Sequence, residues 1–499
     1  MQISELSQIA LTITQIFSYA FIFLIGLVFL SIAIVYVLDR TQTKQALRRN
    51  YPVISHLRYL FEHLGEFFRQ YFFAMDREEL PFNRAERSWI YRASKNIDST
   101  IAFGSTRDLS KPGTIIFGNC PFPKMKSDVS HPRSVTIGED CQHPYICRSV
   151  FNISGMSYGA ISKPAVLALS NGARMAGCWI NTGEGGLSPY HLEGGADIVF
   201  QIGTAKYGVR DAQGNLDINK LKAIASHSQV RMFEIKLSQG AKPGKGGILP
   251  AAKVHQEIAS IRGIPVYTDS ISPNRHLDIS SIHELLDFIC LVRKYTGKPV
   301  GFKVVLGTTD WLEQLYSEIA HRGSESAPDF ITLDSGDGGT GAAPMSLIDN
   351  VGLPIKQSLP ILVDSLSQAH LRERIKVIAS GKLTTPIEVA WALAVGADFV
   401  TTARGFMFSL GCIQALQCNK NTCPTGITTH NKKLQQGLDP TLKAIRVKNY
   451  VANMMREVNT IALSCGVSSA HELNRKHAYI VDPQGRTIKL EQFYTASSM

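Results

Sequence analysis

An α/β barrel is the fold class this sequence predicts, on three observations. Short apolar runs alternate with helical stretches from about Val150, the alternation repeats eight times, and glycine-rich loops follow the runs on one side only. Apolar runs without polar alternation mean strands buried on both faces, which parallel pairing with helical crossovers provides. Eight such units over roughly 250 residues match a closed (β/α)8 TIM barrel in size and count. The runs read as strands are VFNI (150–153), WINT (179–182), MFEIK (232–236), IPVYT (264–268), VGFKVV (300–305), DFITL (329–333), IKVIAS (375–380) and DFVTT (398–402). Helical stretches such as KPAVLALSNGARMAG, SIHELLDFICLVRKYTG and TPIEVAWALAVGA separate them. A doubly wound open sheet is the alternative; against it, no G-x-G-x-x-G follows the first run.

In a barrel, active-site groups sit at the carboxy ends of the strands. The polar oddities should therefore gather there. SGMSYGAIS (154–162) follows the first predicted strand, GEGG (183–186) the second and LSQGAKPGKGG (237–247) the third. SISPNRHLD (270–278) follows the fourth, DSGDGGTGAAP (334–344) the sixth, and Gly381-Lys382 and Ala403-Arg404-Gly405 the last two. Turns at the other end, such as GIP and GKP, are plain. One glycine-rich loop is explained as a turn; their concentration on one rim is not.

Barrels often hold phosphate with the loops after strands seven and eight, through backbone N–H groups. Lys382 and Arg404 would supply charge there, although a lone rim cation is ordinarily just solvated. A flavin mononucleotide (FMN) suits such a mouth, phosphate at the last two strands and ring over the first three. Lys236, ending the third predicted strand, would meet the flavin's anionic edge, the counter-charge a buried lysine requires. The candidate cofactor contacts are Ser154, Met156, Ser157, Thr182, Lys236, Gly338, Gly339, Gly341, Ser380, Gly381, Lys382, Ala403 and Arg404.

Ahead of the barrel the chain changes character. No charged residue occurs between Glu5 and Asp39, and Ile16–Leu38 is almost wholly apolar. That exceeds the roughly 20 residues needed to span a bilayer, so residues 9–38 are expected to form one transmembrane helix. A signal peptide would show a basic start and a small-residue cleavage site, which are missing; a buried core helix rarely runs so long without a polar face. Arg40, Lys44, Arg48 and Arg49 follow at once. By the positive-inside rule, the bulk of the chain is then cytoplasmic. Residues 39–110 read as an amphipathic helical extension, whose aromatic stretch HLRYLFEHLGEFFRQYFF would pack on the main domain or lie on a membrane surface. Residues 111–430 are the barrel domain, its first part a small strand-rich cap, and 431–499 a helical and β tail.

Gly411–Gly426, GCIQALQCNKNTCPTG, concentrates three of the nine cysteines. Thiolates are soft ligands suited to iron–sulfur clusters and zinc. C-x5-C-x4-C is wrong for a zinc knuckle and lacks the fourth thiolate of a four-iron cluster. Cys412, Cys418 and Cys423 on one loop closed by Pro424 suit a three-iron (3Fe–4S) cluster. The alternative is three unrelated core residues, since free cysteine is commonly buried. Cys141 and Cys147 read as structural. An odd cysteine count without a paired framework favours a reducing compartment. Net charge is +11, yet no basic run interleaves with aromatics as nucleic-acid binding would suggest.

These motifs together resemble the FMN-binding synthase domain of the glutamate synthase family. SGMSYGAIS, NTGEGG, KLSQGAKPGKGG, ISPNRHLD, GDGGTGAAP and GCIQALQCNKNTCPTG stand in that domain's order, over about residues 110–430. The resemblance implies FMN in a TIM barrel beside a 3Fe–4S cluster, with Cys412, Cys418 and Cys423 as its ligands. It implies reductive amination of 2-oxoglutarate: ammonia gives 2-iminoglutarate, and reduced FMN delivers hydride to form L-glutamate. Lys242 matches a lysine near the 2-oxoglutarate carboxylate and Glu184 a substrate-site acid. Gln239 is a hydrogen-bond partner for flavin or substrate. Lys236, Lys242, Lys245 and Arg275 would supply cations to a dicarboxylate. Glu184 would orient ammonia or protonate the departing water if burial raises its pKa, or be a solvated turn carboxylate. His276 is given no role.

The sequence also departs from that family. Asn274, Arg275 and Leu277 stand where the large enzymes have Pro, Pro and His, and DSGDGGTGAAP is one residue short. Neither an amidotransferase domain nor a nicotinamide-binding fold is expected in the chain. It reads as a membrane-tethered synthase domain using free ammonia or that of a separate glutaminase subunit, with electrons from a donor protein. Two other functions are weighed: the same cofactors acting on another imine or amine, such as one from methylamine, or exchanging electrons with membrane quinones; and a redox-dead docking module.

Overall fold

The computed structural model describes residues 2–43, 45–129 and 134–496; of the basic residues following the apolar segment, Lys44 lies outside them. It contains two compact units, Met1–Ala85 and Glu86–Met499. In the first, Gln2–Thr41 is a single helix, and its Ser7–Thr41 part is long and apolar enough to cross a membrane, with none of its apolar window buried. Helix Ile54–Phe68 follows. Leu57, Phe61, Phe72 and Phe73, on the stretch expected to be covered, are exposed.

The second unit has fifteen strands among the described residues: β1 (Ile115–Phe117), β2 (Val135–Ile137), β3 (Tyr145–Cys147), β4 (Phe151–Ile153), β5 (Ile180–Asn181), β6 (Ile198–Ile202), β7 (Val230–Lys236), β8 (Ile248–Leu249), β9 (Ser270–Ile271), β10 (Val300–Val305), β11 (Phe330–Asp334), β12 (Lys376–Ser380), β13 (Phe399–Thr402), β14 (Ala478–Val481) and β15 (Thr487–Lys489). Eight of them close a parallel barrel in the order β4-β5-β6-β7-β10-β11-β12-β13, β13 pairing back on β4. The fold is the predicted (β/α)8 barrel.

One of the eight predicted strands is wrong and one barrel strand was missed, so the errors cancel in the count. IVFQI, Ile198–Ile202, is the third barrel strand, buried at every position; the sequence reading passed over it. IPVYT (264–268) is no strand. It is a surface turn in which Tyr267 is exposed with φ of 55°. Proline removes a ladder donor, which disfavours a central strand. Lys236 therefore ends the fourth strand. Both KLSQGAKPGKGG and ISPNRHLD belong to one long excursion between β7 and β10, where β8 and β9 pair as a small antiparallel ribbon.

The hairpin β2–β3 seals the amino-terminal end of the barrel. Ile137, Tyr145 and Cys147 pack there against Trp179, Val199, Met232, Phe330, Ile378 and Phe399, all nearly inaccessible. Cys147 is thus structural, as expected of it. Helix Pro440–Ser464, capped by Asp439, lies across helix Lys163–Ala176. The contact is so close that a Cβ on Gly172 would meet Val447 Cβ at 2.4 Å. The tail then adds β14 and β15 to β1, with Ile480 opposite Ile115. With its floor plugged, the barrel opens, among the described residues, where the glycine-rich loops stand.

Candidate active site

The mouth encloses a cavity of about 210 Å³ at the carboxy ends of the strands. Every rim loop singled out in the sequence contributes to its wall except ISPNRHLD: Ser154, Met156 and Ser157; Glu184; Lys236, Gln239 and Lys242; Gly339 and Gly341; Ser380, Gly381 and Lys382; Ala403 and Arg404; and Cys418. Thr182 and Gly338 stand behind the wall. Thr182 is fully buried, donating to Gly183 O at 2.9 Å and accepting from Gln201 N at 3.1 Å.

Charge is paired inside this mouth. Lys236 Nζ lies 3.0 Å from Glu184 Oε1 and donates to Gln239 Oε1 at 2.8 Å, while Gln239 Nε2 donates to Gly339 O at 3.1 Å. Burial works to raise the Glu184 carboxyl, but Lys236, Lys242 and Arg262 outweigh it and hold the group below its ordinary value. Glu184 is therefore a carboxylate at neutral pH, and the expectation of a raised pKa is corrected. Room for it depends on Gly247, where a Cβ would come within 2.1 Å of Glu184 Oε1. Lys242 is buried, and burial with repulsion from Lys236 lowers its pKa to about 8 despite Glu184.

Below the rim, Lys303 Nζ pairs with Asp334 Oδ2 at 3.0 Å. Burial opposes the lysine's charge, but Asp334 and Glu234 overcome it and raise its pKa. Glu234 accepts from Asn181 at 2.8 Å, Gln201 at 2.6 Å and Thr332 at 2.6 Å. Glu234 and Lys303 are thus both partnered, which stiffens the floor of the site.

On the opposite side, Lys382 Nζ is 2.9 Å from Asp337 Oδ2, and Arg404 Nη2 donates to Asp337 O at 3.0 Å. Lys382 thus holds Asp337 by its carboxylate and Arg404 holds it by its backbone carbonyl, which brings both cations to one side of the mouth. A Cβ on Gly381 (φ 105°) would meet Ser335 Cβ at 2.3 Å, so only glycine lets these two loops touch.

The cysteine loop adjoins the same mouth, through Cys418 and Thr428. Cys412, Cys418 and Cys423 lie within electrostatic reach of one another. Burial pushes Cys412 up to about 12 and raises Cys418. Burial also acts upward on Cys423, but hydrogen bonds with Thr425 and Thr428 bring that thiol below its ordinary value. Gln414 N donates to Cys412 Sγ at 3.4 Å. Among the described residues no three side chains converge on a single ion; a cluster asks something different, one thiolate for each iron.

Sequence reasoning missed Arg262, Gln201 and Lys303. Arg262 lines the cavity, buried, with Nη1 donating to Ser270 Oγ at 3.0 Å and its guanidinium 5.0 Å from the Tyr207 ring. It takes the place expected of Lys245 and Arg275, which are exposed outside the cavity wall. The signal was an arginine on an otherwise apolar helix face in QEIASIR. His276 is a packed residue bonded to Lys236 O at 3.0 Å, and burial lowers its pKa to about 4.

The fold and site define an α/β-barrel protein with a buried, cation-lined cavity at the carboxy ends of its strands. The chain belongs to the glutamate synthase family: residues 122–468 match the model described as the conserved region in glutamate synthase. Over 94% of its length it is 40% identical to "Glutamate synthase large subunit-like protein YerD" of Bacillus subtilis (strain 168), covering 97% of that protein. It is 36% identical to "Archaeal glutamate synthase [NADPH]" of Methanocaldococcus jannaschii over 64% of this chain, but only 60% of that one. A solved structure of mandelate oxidase with benzoyl-formic acid is 16% identical, with a TM-score of 0.44 over 79% of this chain and 98% of that one, a likeness too slight to bear on function.

Proposed function

We propose that this chain makes L-glutamate from 2-oxoglutarate and ammonia, with FMN in the mouth and a 3Fe–4S cluster on Cys412, Cys418 and Cys423. The observation that carries the reading is the convergence of Lys242, Arg262 and the Glu184–Lys236 pair on a cavity that also touches Cys418. The residues fit both groups. Lys382 and Arg404 line the mouth beside Gly381, where a phosphate would meet cations and backbone N–H groups, and Gly341 has nothing within 4 Å of where a Cβ would stand. Cys412 and Cys423 have an N–H and a hydroxyl beside their sulfurs, as cluster thiolates do.

FMN, when bound, supplies the hydride that reduces an electrophilic imine carbon. Lys242 and Arg262 bind the two carboxylates of the substrate. Glu184, ionised, orients the amine and accepts its proton, and Lys236 keeps it ionised while offering a cation to the flavin's anionic edge. Gln239 fixes Lys236 in place. Thr182 and Gly338 support the loops, and Ser154, Met156, Ser157, Ser380 and Ala403 form the wall that excludes water.

The electrons come from a separate donor protein, and the ammonia is free or from a separate glutaminase subunit. Helix Ser7–Thr41 anchors the chain as a single span with the barrel on the cytoplasmic side, given Arg40, Arg48 and Arg49 after it. That helix favours one second reading, the same cofactors acting on a methylamine-type imine or exchanging electrons with membrane quinones. The two separate in one experiment. Reoxidation of the reduced flavin is followed after adding 2-oxoglutarate with ammonia, with methylamine, or a quinone instead; no response to ammonia removes the leading reading.

A further inference from the structure

Lys253 lies at the end of the short turn Ala251–Lys253, in the excursion between β7 and β10, and is almost wholly buried. An ammonium has three donors. All three are used on backbone carbonyls: Thr428 O at 2.6 Å, Cys418 O at 2.7 Å and Ala160 O at 3.4 Å. Ala160, Cys418 and Thr428 all line the mouth. One side chain therefore ties the loop after β4, the cysteine loop and the excursion into one wall.

Neutral carbonyls satisfy its hydrogen bonds but not its charge. A buried ammonium is costly unless an opposite charge stands near. One of its three acceptors is the backbone carbonyl of Cys418, so the ammonium lies against one of the proposed cluster ligands. The lysine is thus placed to balance the negative charge of a cluster held by that loop.

We propose that Lys253 is a positioning residue of the iron–sulfur centre: it fixes the cysteine loop against the mouth and supplies the counter-charge that raises the centre's reduction potential. A fixed positive charge favours the state with one more electron, so removing it makes the centre harder to reduce. This inference rests on the cluster reading above, and wild-type protein lacking iron and sulfide would sink that reading itself. The full-length protein is used throughout.

The test is a redox titration of the centre at pH 7, followed by its paramagnetic signal, with iron and flavin measured per chain. Lys253→Met and Lys253→Gln remove the charge, the second retaining amide donors; Lys253→Arg keeps it. At a fixed ambient potential, the neutral variants should show a reduced-to-oxidised ratio about tenfold lower, ~59 mV for a one-electron couple. The arginine variant should stay near wild type. Neutral variants that hold the cluster at the wild-type potential overturn the proposal. Should the neutral variants bind flavin but lose iron, retention of iron by Lys253→Arg supports the counter-charge. Loss of iron from all three, or failure of all three to fold, assigns Lys253 to packing alone and also overturns it.

Discussion

Glu184 Oε1, in the turn after β5, and Lys236 Nζ, at the end of β7, stand 3.0 Å apart across the barrel mouth, their side chains 15% and 10% exposed. Lys242 and Arg262 also act on the same carboxylate. One anion thus holds a cluster of cations together, and its pKa is lowered on that account. A carboxyl depressed on folding contributes stability above its unfolded pKa, about 4.3, and loses it as pH falls through the folded value. Below about pH 4 the wild type should therefore lose stability that Glu184→Gln lacks at every pH. At pH 7 the variant should be less stable by roughly 3 kcal/mol, the cost of breaking a buried pair. Denaturant midpoints at pH 7 and pH 3.5 check this; equal differences at both would contradict it.

Lys242→Ala should leave flavin bound while weakening 2-oxoglutarate binding by roughly 10- to 100-fold, the loss of one charge-assisted hydrogen bond. Its pKa of about 8 also sets a pH window. Wild-type affinity should hold below that value and fall above it, as the ammonium loses its proton. Flavin fluorescence titrated with 2-oxoglutarate between pH 6.5 and 9.5 measures both. Flavin lost from the variant would move Lys242 into the cofactor site.

Cys418→Ser should abolish the cluster and leave the barrel intact, because Cys418 is on a loop while the core lies among the strands. Iron and sulfide analysis with circular dichroism decides it. Unchanged iron content would remove Cys418 from the ligand set.

Gly247→Ala puts a Cβ within 2.1 Å of Glu184 Oε1. The carboxylate must swing away from Lys236 or the loop must shift. Flavin reoxidation by 2-oxoglutarate and ammonia should slow at least tenfold with little change in melting temperature, since the excursion carrying Gly247 lies outside the barrel strands. A wild-type rate would mean that Glu184 has no chemical part.

The rim loops could be read because glycine at contact points and polar residues after apolar runs leave a local signature. Lys236 and Glu184 sit within such motifs. IVFQI was lost because Gln201 interrupts the apolar run at the position where it reaches Glu234 inside the barrel. IPVYT was gained falsely because β-branched and aromatic residues also occur in surface turns. Arg262 escaped notice because its neighbours in sequence form an ordinary short helix.

The sequence alone determined the closed parallel barrel, the end at which its mouth opens, the apolar helix ahead of it and the cysteine trio, since periodicity and composition are local and need no partner to be read. Only the tertiary structure decided which cations meet. Arg262 and Lys253, carried on the excursion between β7 and β10, reach the mouth and the cysteine loop, while Lys245 and Arg275, on the same excursion, point outside. That choice rests on how a long loop folds back over the barrel, and contacts between segments far apart in the chain leave no period in it.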